Sequence, residues 1–369
     1  LDKENRYKNK MIKRILYTLL IMFPVVASAQ INTDRVMAIG RNALYFEDYV
    51  LSIQYFNQVI NAKPYLSDPY FYRGLAKINL DDFQGAESDC SEAIERNPFV
   101  VSAYQVRGLA RIQQNNFAGA IEDYTKALEF DPENIGVWHN MALCRIRQED
   151  YKGAKNDLDK LIAISPRYTK AYLMRGEVDL KQKDTLAAEK DFGKAIEIDR
   201  YDADTWASRA ILRLQQQRYK DAEADFDHAI RLSTRNSGVY INRALARYHQ
   251  NNLRGAMSDY DIALDIDPNN FIGHYNRGLL RAQVGDDNRA IQDFNFVIEM
   301  EPDNMMAIFN RGLLLDQTGD YKGAIKDYST VINEYPNFLL GYQYRAQARR
   351  KIGDVKGADA DEFKVLKAQ

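Results

Sequence analysis

A chain of 369 residues, 46% hydrophobic and 28% charged, has the composition of a folded protein rather than a disordered one, and only 9 prolines leave room for long helices. The formal net charge is -2, but the first 29 residues hold six basic and two acidic side chains, so the remainder carries 44 basic against 50 acidic groups. That acidic balance argues against a nucleic-acid partner held by phosphate contacts and against an anionic membrane surface. Two cysteines, Cys90 and Cys144, lie outside any CxxC or Cys/His spacing, so neither a disulfide, a metal nor a cofactor is expected.

The chain opens with residues 1–10, which read as upstream translation or a misplaced start ahead of Met11. Residues 11–29 have the three parts of a secretory signal: Lys13 and Arg14, an apolar stretch from Ile15 to Ala27, and the small-residue cleavage site Ala27-Ser28-Ala29. The signal is similar to those of Gram-negative bacteria and implies export to the periplasm. An uncleaved signal would instead anchor the protein to the inner membrane, and membrane contact is expected only in that case. Residues 30–32 form a short leader.

From residue 33 onward the chain keeps a 34-residue ruler. Prolines stand at 64, 98, 132, 166, 268, 302 and 336, and the two skipped slots hold Arg200 and Thr234. Alanines stand at 86, 120, 154, 188, 222, 256, 290, 324 and 358, with Ser52 in the first slot. Such self-similarity is the signature of a repeat architecture, whose core grows one unit at a time.

The slots themselves resemble those of the tetratricopeptide repeat family. Tyr104, Gly108, Ala120, Tyr124, Ala127 and Pro132 occupy the family's packing positions in the third repeat, and Trp206, Ala210, Ala222, Phe226 and Ala229 do so in the sixth. The resemblance covers residues 33–369 and implies an all-α fold, a right-handed superhelical solenoid of ten antiparallel helix pairs, A and B. The tenth repeat reads as incomplete, since Glu362 sits where an aromatic is expected and Gln369 falls just before the next proline slot. The natural chain is therefore expected to continue.

One slot departs from the family's commonest pattern. Three residues after the opening aromatic stand Arg73, Arg107, Arg175, Arg209, Arg243, Arg277, Arg311 and Arg345. Sixteen residues beyond each lies a helix B carboxylate: Asp89, Asp123, Asp191, Asp225, Asp259, Asp293, Asp327 and Asp361. A phosphate-binding strip would not place a carboxylate beside every guanidinium, so the expectation is a ladder of structural ion pairs, including Arg107–Asp123, Arg243–Asp259, Arg277–Asp293 and Arg311–Asp327. The fourth repeat breaks the ladder, with Asp157 but Met141; the first breaks it at both positions, with Ile39 and Tyr55.

In the family, helix A lines the concave surface. The resemblance therefore points Phe71, Leu75 and Ile78, then Gln105, Leu109 and Ile112, then His139, Leu143 and Ile146 into the groove, with Ile241, Leu245, Leu279 and Phe309 further along. Two readings compete for this apolar wall. It is a groove for an apolar or amphipathic segment of a protein or peptide, or it is packing between successive A helices that leaves little exposed.

Catalytic motifs are missing: there is no phosphate-cradling glycine loop, no HExxH and no serine elbow. His139, His228, His249 and His274 occupy different slots and do not converge on one metal. Carboxylate pairs such as Asp81–Asp82 and Asp286–Asp287 fall at A–B turns, where capping explains them. The chain thus reads as a non-catalytic interaction scaffold. The alternatives are a docking or sensor part of a longer protein and a structural assembly module.

Overall fold

The computed structural model describes residues 32–368; residues 1–31, which hold the signal segment, the ten residues before it and the first two residues of the short leader, and Gln369 lie outside the described residues. Twenty α-helices, and no strand, occur among the described residues. They come as ten A–B pairs. The first five are α1 (Thr33–Tyr45) with α2 (Tyr49–Ala62), α3 (Asp68–Ile78) with α4 (Phe83–Arg96), α5 (Val101–Gln113) with α6 (Phe117–Phe130), α7 (Ile135–Arg147) with α8 (Tyr151–Ile164), and α9 (Thr169–Lys181) with α10 (Thr185–Ile198). The second five are α11 (Ala203–Gln215) with α12 (Tyr219–Leu232), α13 (Ser237–His249) with α14 (Leu253–Ile266), α15 (Phe271–Gln283) with α16 (Asp287–Met300), α17 (Met305–Thr318) with α18 (Tyr321–Glu334), and α19 (Leu339–Lys351) with α20 (Val355–Ala368). The arrangement is an all-α solenoid of tetratricopeptide type. Two compact units divide at Ala171 and Tyr172, inside α9.

Every A–B turn is built the same way. One residue adopts the left-handed region, φ 59° to 64° at Glu47, Asp81, Asn115, Glu149, Lys183, Gln217 and Asn251; glycine takes over at Gly285, Gly319 and Gly353. In eight of the ten turns the side chain of the next residue caps helix B; Arg218 and Asp286 make no such bond. The side-chain oxygens of Asp82, Asn116, Asp150 and Asn252 accept the backbone N–H of Gly85, Gly119, Gly153 and Gly255. The capping expected of paired carboxylates holds at Asp81–Asp82 but fails at Asp286, which makes no cap bond and pairs with Arg289 instead.

Breaks after helix B fall on the ruler with or without proline. Helix α6 stops at Phe130, and Asp131 leaves the helical region at φ -134° and ψ 80°, the direction in which a following proline pushes a residue. Helices α10 and α12 stop at the same register beside Arg200 and Thr234, so the loop geometry does not need the ring.

Between helices the small slots let backbones approach. A methyl added at Gly108 would sit 2.8 Å from the Tyr124 ring, and the slot alanines, Ala86 through Ala358, have no exposed surface. In the first unit Tyr104, Tyr124, Val137, Met141 and Cys144 form one buried cluster. In the second, Tyr240, Ile241, Tyr260 and Leu280 form another. Cys90 and Cys144 are free and buried, and burial raises both thiols to about 12.

Candidate binding face and ion-pair ladder

Within the first unit each A helix approaches the next, α1 to α3, α3 to α5 and α5 to α7. Within the second, α11 approaches α13, α15 approaches α17, and α17 approaches α19. Successive B helices do not approach comparably among the described residues. Inside each unit the A row is therefore the tighter side of the stack, which is the side a concave surface requires.

Phe71, Leu75 and Ile78 lie on α3, Gln105, Leu109 and Ile112 on α5, and His139, Leu143 and Ile146 on α7. None of the nine is buried: eight are half-buried and Leu109 is 37% exposed. Two of its members pack on buried neighbours. Ile112 rests on the Tyr104–Tyr124 cluster, and Phe71 rests on Ile60 and Tyr70. In the second unit Leu279 is 40% exposed, but Ile241 and Phe309 are shut in at 6% and 7%, so these two belong to the core rather than to a groove.

His139 marks the polar edge of the strip. Its Nδ1 is 3.3 Å from the Tyr168 hydroxyl and its ring meets the Tyr168 ring edge-on. Burial, and then the charge of Lys170, push its pKa below the usual 6.5, so the imidazole is neutral at pH 7.

The ladder is closed in both units. Arg107 donates to Asp123 at 2.6 Å, Arg243 to Asp259 at 2.6 Å, Arg277 to Asp293 at 2.8 Å and Arg311 to Asp327 at 2.7 Å. The carboxylates are almost fully buried, 1% to 4% exposed, which the paired guanidiniums make tolerable. Arg243 also reaches back to Asp227 on the preceding helix B at 2.7 Å; Asp225, two residues before Asp227, is taken by Arg209 and Arg213. Arg277 does the same with Asp261, Arg311 with Asn295 and Arg107 with Ser91. Each of these ladder arginines thus joins its own repeat to the one before. The guanidinium lies over the opening aromatic as well, 5.7 Å from the Tyr104 centroid for Arg107 and 5.5 Å from Tyr240 for Arg243.

A second cation, four residues after the first, completes the cluster and was missed in the sequence. Arg111 donates to Asp123 at 3.0 Å, Arg247 to Asp259 at 2.8 Å and Arg281 to Asp293 at 2.7 Å. The signal was available, because the slot recurs on the 34-residue ruler. In the fourth repeat only this second cation is present. Arg145 donates to Asp157 Oδ1 at 2.9 Å while Asp157 Oδ2 is buried without a partner. Burial raises the Asp157 pKa to about 7, only partly opposed by Arg145.

The four histidines each sit against a ring rather than against one another: His139 edge-on to Tyr168, His228 stacked on Trp206, His249 on Tyr219 and His274 on Phe296. No group of His, Cys, Asp and Glu among the described residues is arranged to hold a metal ion. No described helix is long and apolar enough to cross a membrane.

Family models match in five stretches. The one described as "TPR repeat" matches residues 108–144, and two described as "Tetratricopeptide repeat" match 135–168 with 169–202 and 208–271 with 275–337. Together they span more than half of the chain. A tetratricopeptide repeat protein from Parabacteroides merdae is 21% identical, with a TM-score of 0.52, covering 68% of this chain and 98% of its own. The C-terminal part of a TPR repeat-containing protein from Cytophaga hutchinsonii is 17% identical, with a TM-score of 0.53, covering 64% and 97%. PilF of Pseudomonas aeruginosa is 19% identical, with a TM-score of 0.50, covering 59% and 97%. Among curated proteins none matches the sequence.

Proposed function

Since this chain belongs to the tetratricopeptide repeat family, whose members commonly mediate protein–protein interaction, we propose that it is an exported, non-catalytic scaffold holding a protein or peptide segment against its A helices. The observation that carries this reading is the half-open apolar strip of α3, α5 and α7, from Phe71 through Leu109 to Leu143, edged by Gln105, Gln113 and His139. A specific groove needs that mixture: apolar surface for affinity and a few hydrogen-bonding groups for orientation. Secretion to the periplasm rests on the signal-like residues 11–29.

The test is selection of displayed twelve-residue peptides on the purified chain lacking residues 1–29, followed by binding measurements on single variants. Leu109→Asp is expected to weaken the selected peptides by about 2 kcal/mol, roughly thirtyfold, as loss of a central anchor does. Unchanged binding in a folded Leu109→Asp protein would place the partner elsewhere and end this reading.

A further inference from the structure

In a chain of ten similar units, a slot that departs from its counterparts is a residue the solenoid does not require. Two such departures meet at the junction of the fifth and sixth repeats. Position 200 is proline in seven of its eight counterparts and arginine here; position 231 is acidic in five of its nine counterparts (Glu95, Glu129, Glu197, Asp265 and Glu299), is Asn61, Ala163, Asn333 or Lys367 in the others, and is arginine here. Both Arg200 and Arg231 line a single cavity of about 430 Å³ at the loop edge of the second unit, between the ends of α10 and α12 and the start of α11.

The rest of that cavity is aromatic and apolar. Trp206 and His228 stack at 4.2 Å with their planes 13° apart, Tyr201 is 76% exposed and Leu232 is 38% exposed. The stack is held from behind, since Trp206 Nε1–H donates to the Arg200 carbonyl at 2.9 Å. The one acidic side chain in the wall, Glu197, is paired with Lys194 at 2.9 Å. Neither Arg200 nor Arg231 has a carboxylate partner among the described residues, whereas the ladder arginines of the same unit are all engaged.

We propose that this cavity is a second binding site, distinct from the A-helix face, for an aromatic group bearing a carboxylate. The ring would lie against the Trp206–His228 stack and Tyr201, and the carboxylate between the two guanidiniums, where charge-assisted hydrogen bonds are strongest. Two sources share this chemistry: a free aryl carboxylate, and an aromatic residue next to an acidic one in a protein segment. The site does not depend on the A-helix reading.

The chain supplies its own reporter. It has two tryptophans, Trp138 and Trp206, so a Trp138→Phe protein excited at 295 nm reports on Trp206 alone. The probes are phenylacetate, the neutral phenylacetamide, acetate, and the blocked peptide acetyl-Asp-Phe-Glu-amide. Phenylacetate or the peptide is expected to change Trp206 emission saturably, at least tenfold more tightly than phenylacetamide or acetate, and less tightly as salt rises. Phenylacetate binding identifies a small-molecule site; binding of the peptide alone identifies a protein segment. Arg231→Glu and Arg200→Pro return each position to the residue of neighbouring repeats, so both should fold, and each is expected to weaken binding at least tenfold. Parent-like affinity in both variants, or no saturable change with either phenylacetate or the peptide, overturns the proposal.

Discussion

The ladder and the A-helix strip invert the usual division of a soluble protein. Carboxylates are sealed inside, with Asp259 1% exposed between Arg243 and Arg247, while Leu109 is 37% exposed and Leu75 and Leu143 are only partly covered. A repeat protein has no single deep core to take its aliphatics, so neighbouring units can be joined through directional ion pairs. The arginines hold one unit to the next by geometry as well as by charge. Apolar side chains on the A helices are then released from part of their structural duty. The contrast is sharpest where the ladder is damaged, in the fourth repeat, since Met141 fills the arginine slot and leaves half of Asp157 unanswered.

The largest expected effect comes from making a whole rung into a damaged one. Arg243→Ala removes the contacts to Asp259 and Asp227 and leaves Asp259 with Arg247 alone, the situation of Asp157. Denaturant unfolding should show a loss of about 3 kcal/mol, because a buried carboxylate loses its main partner. A loss near zero would mean that the ladder is solvated and that the inversion is not real.

Repairing the damaged rung tests the same contrast in the opposite direction. The Asp157 pKa is raised in the folded protein, to about 7 from 3.8, so the folded state holds a proton that the unfolded state releases. The stability this provides is complete below pH 4 and is lost as pH rises to 7. Met141→Arg should flatten that dependence and raise stability at pH 8 by about 1 to 2 kcal/mol, part of the gain being offset by burial of the new charge. A pH dependence unchanged by the substitution would assign it to another group.

A smaller effect is expected at the turns. Lys183 holds a left-handed conformation, φ 64°, in the slot that Gly285, Gly319 and Gly353 fill elsewhere. Lys183→Gly should raise the unfolding midpoint through about 0.5 to 1 kcal/mol of relieved strain. Gly319→Lys should cost a similar amount.

The repeat architecture was legible because Pro, Gly and Ala answer to backbone and packing constraints that recur at every unit. The Arg107–Asp123 and Arg243–Asp259 pairs were legible because opposite charges recurring at one fixed spacing along packed helices can hardly avoid meeting. Arg111 and Arg247 share the same ruler, but matching one cation to each carboxylate stops before reaching them. Exposure of the strip was not legible: Leu109 and Ile241 are both A-helix aliphatics expected in the groove, yet one is 37% exposed and the other 6%. Which of them opens depends on how closely the neighbouring helices pack, and hydropathy does not encode that. The Arg200–Arg231 cavity was hidden for a related reason, since its walls come from three helices and a loop.

Whether the A-helix strip is surface rather than packing is tested most directly by the unfolding free energies of Leu109→Asp and Ala110→Asp, neighbours on α5. Ala110 has no exposed surface and Leu109 is 37% exposed. Leu109→Asp is expected to cost less than about 1 kcal/mol, as a surface change does, while Ala110→Asp buries an unpaired charge and should cost more than about 3 kcal/mol or prevent folding. Equal and large losses at both positions would show that Leu109 is part of the packing, and the strip would then be no binding surface.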